Sequence, residues 1–479
     1  MSSIDRVTGL VKRHSILFCS FVMVWTAIVP FGRAFYRVEV NYNEGWNVYA
    51  ASMVNNHQLL YPVRYGWTLV NYPMLSFVVM AQLHRVTHEY LFTARVVSLL
   101  SLIACGVLVA AIVRKLGSSM LFSVLGGMYC VAMFCSVADD YVGMDDPQIF
   151  ALVFFLAGLL AYLWNRRSPW AIAGSALLFV VGGSIKHNPI DFPLAVLIDL
   201  ALISRFRAVW FSICGICFGA IAVALHLHYG GPEFLHELFA PRAYSIAKVP
   251  VQFMNAFGRM QLPICVAIYT AFVMRKDELR RIISILLVAA IVIGGYFGGG
   301  QGVSINCLFT AMMAVCILMG LFWERAAEKG WRFAAYAPAV LFGWLFVPLI
   351  HSGNWDPVMR LREAEVEQRR FDEEVAFLRG TSGPALCESL LRCYFAGKPY
   401  RYDPFNATRL IALGKLDGSE LVTSLRNHEY GAVEFEGPLH KDVRLLRFNP
   451  AILKAVEENY VVVLSNEDGS IYVPKAVDR

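Results

Sequence analysis

Long apolar stretches separated by short polar segments fill the first 351 residues of the chain. A helix needs roughly 20 apolar residues to cross the hydrocarbon core of a bilayer. The stretches that predict membrane-spanning helices are 15–33, 92–114, 120–137, 147–164, 169–185, 189–204, 208–228, 259–274, 281–297, 304–323 and 332–350. A further apolar stretch, 71–86, is broken by Pro73 and ends in His84-Arg85. It favours a re-entrant or interfacial helix that does not cross.

Basic residues occupy every second predicted loop. They are Arg114/Lys115, Arg166/Arg167, Arg205/Arg207, Arg275/Lys276/Arg280/Arg281 and Arg325/Lys329/Arg332. Lys and Arg accumulate in the short cytoplasmic loops of membrane proteins. The pattern therefore predicts a multi-pass protein of a bacterial inner membrane, with a cytoplasmic N-terminus. The first helix is retained, because no small-residue cleavage site follows it. Eleven crossings place residues 352–479 in the periplasm.

The C-terminal region changes character and predicts a small α/β domain. Its expected elements are a charged helix near 356–378, strands at 385–387 and 432–436, a helix over 418–426 with Asp417 as its N-cap, and a terminal hairpin of 460–464 with 471–473. The predicted fold class is thus a polytopic α-helical membrane protein of about eleven helices with a C-terminal α/β periplasmic domain. The predicted boundary separates residues 1–351 from 352–479.

Composition agrees with a chain that lies mostly in lipid. Of its residues 57% are hydrophobic and 16% are charged, against about 25% charged in soluble domains. The net charge of +6 comes from loop residues that set topology, so no nucleic-acid partner is expected. Nine of the eleven cysteines lie in or beside apolar stretches, whereas Cys387 and Cys393 lie in the C-terminal region. The sequence leaves open whether these two cysteines form a disulfide.

Acidic and basic side chains meet in the predicted outer segments. The first outer loop, 34–91, contains Glu44; the second contains Asp139-Asp140 and Asp145-Asp146; a break between two helices contains Lys186-His187. Taken alone, the aspartates are more simply read as a solvated loop. Carboxylates and cations on one wet face can together activate a hydroxyl group and hold a phosphate leaving group. These residues are therefore candidates for a catalytic site.

The order of several motifs resembles the GT-C glycosyltransferases that use polyprenyl-phosphate sugars. That group includes protein O-mannosyltransferases, aminoarabinose transferases and lipopolysaccharide galacturonosyltransferases. The motifs are Asn43-Glu44-Gly45-Trp46-Asn47-Val48-Tyr49-Ala50, Leu60-Tyr61, Asn71-Tyr72-Pro73-Met74-Leu75, Ala94-Arg95-Val96, Lys186-His187-Asn188 and a Gly-rich turn before Asn306. The resemblance covers residues 40–320. It implies a GT-C fold and transfer of a sugar, with inversion, to a hydroxyl group.

The resemblance also implies roles for single residues. Glu44 would be the general base, and Asp146 or Asp145 the second-loop acid, with Asp139-Asp140 as the competing pair. Lys186 and His187 would neutralise the lipid phosphate, or alternatively form a cation pair that snorkels to the lipid headgroups. Further substrate contacts would come from Asn43, Tyr61, Arg95 and Asn306.

Two departures from the family pattern matter, since Asn43 stands where the family usually has Asp and Met74 replaces a proline. The first of these weakens the case for a divalent cation, and no other cofactor is implied.

The expected partners are a polyprenyl-phosphate-linked sugar donor, membrane lipids and an acceptor that is a glycan, a lipid or a protein. A lipid or glycan transporter is one alternative, but such proteins place acids near the bilayer midplane and usually contain a repeat. The other alternative is a non-catalytic envelope assembly protein, because fold alone does not fix function.

Overall fold

The computed structural model describes residues 3–437, 439, 447–466 and 469–476, with side chains from residue 13 onward. The chain divides into two compact units. The helical unit contains Met1–Arg33, Arg95–Ala224 and Tyr244–Arg360. The mixed unit contains Ala34–Ala94, Leu225–Ala243 and Leu361–Arg479.

Helices alone build the helical unit. They are α1 (Ser3–Arg33), α4 (Tyr90–Lys115), α5 (Met120–Val137), α6 (Pro147–Trp164), α7 (Pro169–Ile185), α8 (Asp191–Ile203), α9 (Arg205–Leu225), α11 (Lys248–Met274), α12 (Arg281–Gly298), α13 (Phe309–Glu328), α14 (Ala337–Trp344) and α15 (Phe346–His351). Short 3-10 turns precede α6 and α13 at Asp139–Tyr141 and Ile305–Leu308.

Helices and strands together build the mixed unit. They are α2 (Asn43–Asn55), α3 (Leu75–Thr87), α10 (Phe234–Leu238), α16 (Pro357–Gly380), β1 (Ala385–Cys387), α17 (Leu390–Phe395), α18 (Pro404–Ala412), α19 (Ser419–Arg426), β2 (Ala432–Phe435), α20 (Pro450–Asn459), β3 (Tyr460–Ser465) and β4 (Ser470–Pro474). The first few residues of α16 belong to the helical unit, and the first few of α4 to the mixed unit.

The protein is a multi-pass membrane protein. Each predicted span contains a helix, although 189–204 contains only the short α8, and 332–350 begins with turns and contains two short helices, α14 and α15. Among the described residues, eight helices are long and apolar enough to cross a bilayer, and Pro169–Ile185 and Ala337–His351 are shorter apolar segments. Helix α3 has 13 residues, which at 1.5 Å per residue is about 20 Å and too short to cross the roughly 30 Å hydrocarbon core. Helix α8, inside the predicted span 189–204, also has 13 residues, so the two segments are equally short.

The predicted start of the span 259–274 was wrong. Residues 248–258, expected in an outer loop, form the first part of α11. This helix is kinked at Met260, whose φ of −127° is not helical. Pro263 lies three residues later, and its ring clashes with the carbonyl four residues before it, which explains the kink. Helix α9 ends at Leu225, and the predicted remainder of the span continues as a π-helical turn, His226–Gly230.

Helix α13 forms the centre of the helical unit. Every residue from Phe309 to Trp323 is buried, and the helix packs against α5, α11 and α12. Membrane helices approach closely where small residues meet. At Gly106 on α4 and Gly127 on α5 the two backbones leave no room for a side chain.

Basic residues from different predicted cytoplasmic loops meet at one end of the helical unit. Arg280 donates to the carbonyl of Leu116 at 3.0 Å, and Arg166 donates to that of Glu278 at 2.8 Å. Arg281 and Arg166 both pair with the buried Asp199, at 2.8 and 3.4 Å. Residues of three of the five predicted basic loops therefore lie close together in the helical unit.

The described part of the C-terminal region forms a four-stranded sheet in the order β1-β2-β4-β3. The β1–β2 pair is parallel, and the other two pairs are antiparallel. The predicted terminal hairpin is confirmed, although residues 467 and 468 of its turn lie outside the described residues. Cys387 and Cys393 form a disulfide. The N-cap of α19 is Gly418, one residue after the predicted Asp417, which instead accepts from the Ser419 N–H at 2.9 Å.

Candidate active site

Asp146 and Lys186 form a buried ion pair in the helical unit. Asp146 precedes Pro147 and caps α6, accepting from the backbone N–H of Gln148 at 2.7 Å. Lys186 follows the last residue of α7, and its Nζ lies 3.2 Å from the Asp146 carboxylate. The two residues are 5% and 1% exposed. Their charges balance, so the structure joins the predicted second-loop acid to the predicted phosphate cation. His187 is half-buried beside them.

The competing acidic pair lies in the same loop but in different surroundings. Arg33 donates to the backbone carbonyls of Asp139 and Val142. The side chain of Asn354 donates to the Asp139 carboxylate at 3.4 Å. Burial, with Asp140 nearby, raises the pKa of Asp139. Asp140 itself is exposed.

The remaining predicted residues of the helical unit are mostly buried. Arg95 is fully buried and donates to the carbonyl of Arg33 at 3.4 Å. Asp145 is 8% exposed. Asn306 is half-buried, and its backbone carbonyl accepts from Gln148 at 3.4 Å. Because Gln148 follows Asp146 on α6, the Asn306 turn lies against the start of that helix.

Glu44 lies in the first turn of α2 in the mixed unit. It is fully buried, and its carboxylate accepts from the backbone N–H of Val40 at 2.7 Å. Asn43, the first residue of the helix, is 7% exposed. A Cβ at Gly45 would lie 2.8 Å from the backbone nitrogen of Leu391 on α17. The Asn-Glu-Gly motif is therefore the place where α2 meets the C-terminal region.

The other residues of that motif also pack on the C-terminal region. Trp46 lies against Phe405 at 6.4 Å between ring centroids. Tyr49 stacks on Tyr400 at 4.7 Å, and its hydroxyl donates to the carbonyl of Lys398 at 2.8 Å. These contacts hold α2 rigidly, so the backbone that carries Glu44 has a fixed position within the unit.

Tyr61, a predicted substrate contact, is fully buried. Its hydroxyl donates to the carbonyl of Tyr72 at 2.6 Å, and its ring packs on Phe234. The side chain thus joins two parts of the first loop to α10. Its role in substrate binding stays a prediction.

Sequence reasoning missed an arginine cluster in the mixed unit, formed by Arg242, Arg409 and Arg447. Arg409, on α18, is 1% exposed, and its three guanidinium nitrogens have no hydrogen-bond partner among the described residues. Burial, with Arg242 nearby, lowers the pKa of Arg409 to about 10. Arg447 lies 3.5 Å over the ring of Tyr42, the residue before α2. Positive charge therefore collects beside the start of the Glu44 helix.

Glu237 on α10 was also missed. It is 2% exposed and accepts from the backbone N–H of Tyr65 at 2.8 Å. Burial raises its pKa to about 7, while the charge of Arg409 acts in the opposite direction. The only sequence signal for Glu237 was its place in the predicted outer loop 229–258.

No group of three or more His, Cys, Asp and Glu within the described part of the chain is arranged to hold a metal ion.

Sequence comparisons found no relatives: no protein-family model matches the chain, and neither does any curated protein sequence.

Solved structures do resemble the fold. ArnT from Cupriavidus metallidurans bound to undecaprenyl phosphate is similar with a TM-score of 0.64 and 12% identity, over 96% of this chain and 98% of that one. The Archaeoglobus fulgidus oligosaccharyltransferase tethered to an acceptor peptide is similar with a TM-score of 0.51 and 10% identity, over 96% and 74%. AglB from the same organism, in complex with an inhibitory peptide and a dolichol-phosphate, is similar with a TM-score of 0.50 and 9% identity. The match covers 97% of this chain and 74% of that one. The chain therefore has the GT-C fold that the sequence motifs implied.

Proposed function

We propose that this protein is a membrane glycosyltransferase that moves a sugar from a polyprenyl-phosphate donor to a hydroxyl group of an acceptor. The observation that carries the proposal is the fold shared with ArnT over almost the full length of both chains. The solved structures were obtained with undecaprenyl phosphate and with a dolichol-phosphate. These are anions on long apolar chains. A membrane protein with buried acids and an arginine cluster can bind and use such a donor.

Glu44 acts as the general base in this reaction. It takes the proton of the acceptor hydroxyl, whose oxygen attacks the anomeric carbon while the bond to the lipid phosphate breaks. The phosphate leaves with the electron pair of that bond, and the sugar inverts its configuration. A positioned base contributes about 10²–10⁴-fold to such a step. The rigid packing of α2 supports this role, because a base must hold its place within a fraction of an ångström.

Positive charge balances the phosphate as the bond breaks. Lys186 and His187 serve this purpose by family resemblance, with Asp146 orienting Lys186 through the buried ion pair. Asp145, Arg95, Asn43, Tyr61 and Asn306 are proposed substrate contacts on the same ground. Arg409 and its two neighbours add a second source of charge that no motif indicated. Fixed cations in a site shielded from water stabilise developing charge strongly.

The proposed location is the outer face of a bacterial inner membrane. The basic loops at one end of the helical unit support a cytoplasmic position for that end. The Cys387–Cys393 disulfide supports an oxidising compartment for the C-terminal region. The acceptor is then a glycan, a lipid or a protein of the cell envelope.

The test is turnover of defined donors by the purified full chain. The protein in lipid nanodiscs is incubated with undecaprenyl-phosphate sugars carrying a radiolabel in the sugar, together with envelope extract as acceptor. Release of undecaprenyl phosphate and transfer of label are measured for the wild type and for Glu44→Gln. We expect label transfer with one donor class and its loss in the variant. Failure of every donor with well-folded protein would refute the proposed function.

A further inference from the structure

A cavity of about 370 Å³ opens in the mixed unit. One wall is Trp67, from the loop between α2 and α3. Tyr400, Arg401 and Tyr402, which precede α18, form another wall. Glu420 on α19 and Tyr430 before β2 also line the cavity. Binding sites for small molecules commonly have volumes of about 300–1,000 Å³, so the cavity is large enough for a ligand.

Packing behind the cavity fixes its aromatic rings. Tyr400 stacks on Tyr49 at 4.7 Å with 7° between the ring planes. Tyr402 stacks on Phe448 at 5.8 Å, and Trp67 lies against Tyr402 at 5.9 Å. The carbonyl of Trp67 also accepts from the N–H of Asp403 at 2.8 Å. The rings therefore need no ordering when a ligand binds, which lowers the entropic cost of binding.

Polar groups in the cavity have unused hydrogen-bonding capacity. Arg401 and Glu420 are exposed, carry opposite charges, and have neither a hydrogen bond nor an ion pair from their side chains to any described residue. The hydroxyls of Tyr430 and Ser424 and the indole N–H of Trp67 likewise have no partner in the described ranges. The cavity thus offers both donors and acceptors around rigid rings.

A sugar ring matches this combination. It presents a face of C–H bonds that packs on aromatic rings, and hydroxyl groups at its rim that both donate and accept hydrogen bonds. An apolar ligand would cover the charged groups without giving them partners, which is costly. A phosphate would be repelled by Glu420. The balance of one arginine, one glutamate and several hydroxyls favours a ligand with little net charge.

We propose that this cavity binds a saccharide of the acceptor, away from the hydroxyl group that reacts. The identification as acceptor rests on the proposed glycosyl transfer, whereas the binding of a saccharide does not. Contacts to a part of the substrate that does not react are equal in the ground state and the transition state. Losing them raises KM for the acceptor and leaves kcat unchanged.

The experiment compares three cavity variants with a matched control. Trp67→Ala removes a ring, and Arg401→Ala and Glu420→Ala remove polar groups without touching a described partner. Arg426→Ala is the control, since it removes another exposed arginine from the same region outside the cavity lining. Full-length protein in nanodiscs is applied to an array of lipid-free bacterial envelope oligosaccharides and unglycosylated periplasmic peptides. Acceptor KM and donor turnover are measured in parallel.

We expect binding to a subset of oligosaccharides that falls about tenfold in each cavity variant, as for the loss of one good contact, and is unchanged in Arg426→Ala. Acceptor KM should rise by a similar factor at constant kcat. Binding to peptides instead of glycans, or glycan binding equal in all variants, would overturn the proposal. Glycan binding without any donor turnover in the wild type would refute the proposed function and leave the saccharide site standing. These outcomes therefore separate the two ideas.

Discussion

Replacing Arg409 by methionine should stabilise the protein and weaken its activity. Methionine has a similar length, fits irregular apolar surroundings and carries no charge. Arg409 is 1% exposed, and no hydrogen bond to its guanidinium is found among the described residues. The substitution therefore removes a buried charge and breaks no described hydrogen bond.

The magnitude follows from the pKa. Burial, with Arg242 nearby, lowers the pKa of Arg409 from 12.5 to about 10. Each unit of difference between the pKa values of the folded and unfolded states corresponds to about 1.4 kcal/mol. Keeping Arg409 charged therefore costs the folded state about 3 kcal/mol. The cost is fully present at pH 7, which lies below both pKa values, and would decline only as the pH rises from about 10 towards 12.5. Replacing buried ionic groups by apolar ones has stabilised other proteins by about 1–4 kcal/mol.

Thermal unfolding of the full chain in detergent at pH 7 measures this effect. A gain of about 3 kcal/mol corresponds to a rise in Tm of about 6–12 °C for a unit of this size. Arg426→Met is the control, because a substitution at this exposed position should change stability by less than about 0.5 kcal/mol. Label transfer from the donor should fall in Arg409→Met only. A lower Tm in Arg409→Met would show that the guanidinium stabilises the fold and would refute the reasoning.

Three further predictions concern buried charged side chains. Glu44→Gln should reduce transfer at least about 100-fold with an unchanged Tm, because the amide oxygen can still accept from Val40; turnover near that of the wild type would remove the assignment of the base. Glu237→Gln should stabilise the protein by about 2–3 kcal/mol at pH 8 and not at pH 4. Because the pKa of Glu237 is raised, the wild type loses stability as the pH rises from 4.5 towards 7. Equal Tm differences at both pH values would contradict this. Lys186→Met should destabilise by about 3–5 kcal/mol by leaving the Asp146 charge buried without its ion-pair partner, and adding Asp146→Asn should restore part of the loss; additive losses in the double variant would count against the pair.

Much of the helical unit could be predicted because local signals determine it. An apolar stretch of sufficient length forms a helix in lipid, since every backbone group must be satisfied within the segment. The start of α6 could also be predicted from a local signal, because Asp146 supplies an N-cap and Pro147 a preset φ angle. Residues 248–258 gave no such signal, because this part of α11 is largely exposed and more polar. The sequence therefore predicts a loop for these residues.

The arginine cluster could not be predicted from local patterns. Arg409 lies on α18, where Pro404–Leu410 are all buried, including the polar Asn406 and Thr408. A short helix with this many polar residues reads as a surface helix. What buries it comes from distant parts of the chain, including Leu69 and Ala240 beside Leu410. Burial of this kind depends on tertiary contacts, which periodicity does not reveal.

Helix α2 packs against α17 of the C-terminal region, and a substitution of Gly45 tests whether this contact positions Glu44. A Cβ at this position would clash with the Leu390 side chain and would lie 2.8 Å from the Leu391 nitrogen, so the backbone of α17 cannot be avoided by moving one side chain. Gly45→Ala should therefore push α2 from α17 at a cost of about 1–3 kcal/mol and displace Glu44. Gly380→Ala is the control, since nothing lies within 4 Å of its added Cβ. Turnover should fall in Gly45→Ala and persist in Gly380→Ala. Full turnover in both would mean that the position of Glu44 does not depend on the C-terminal region.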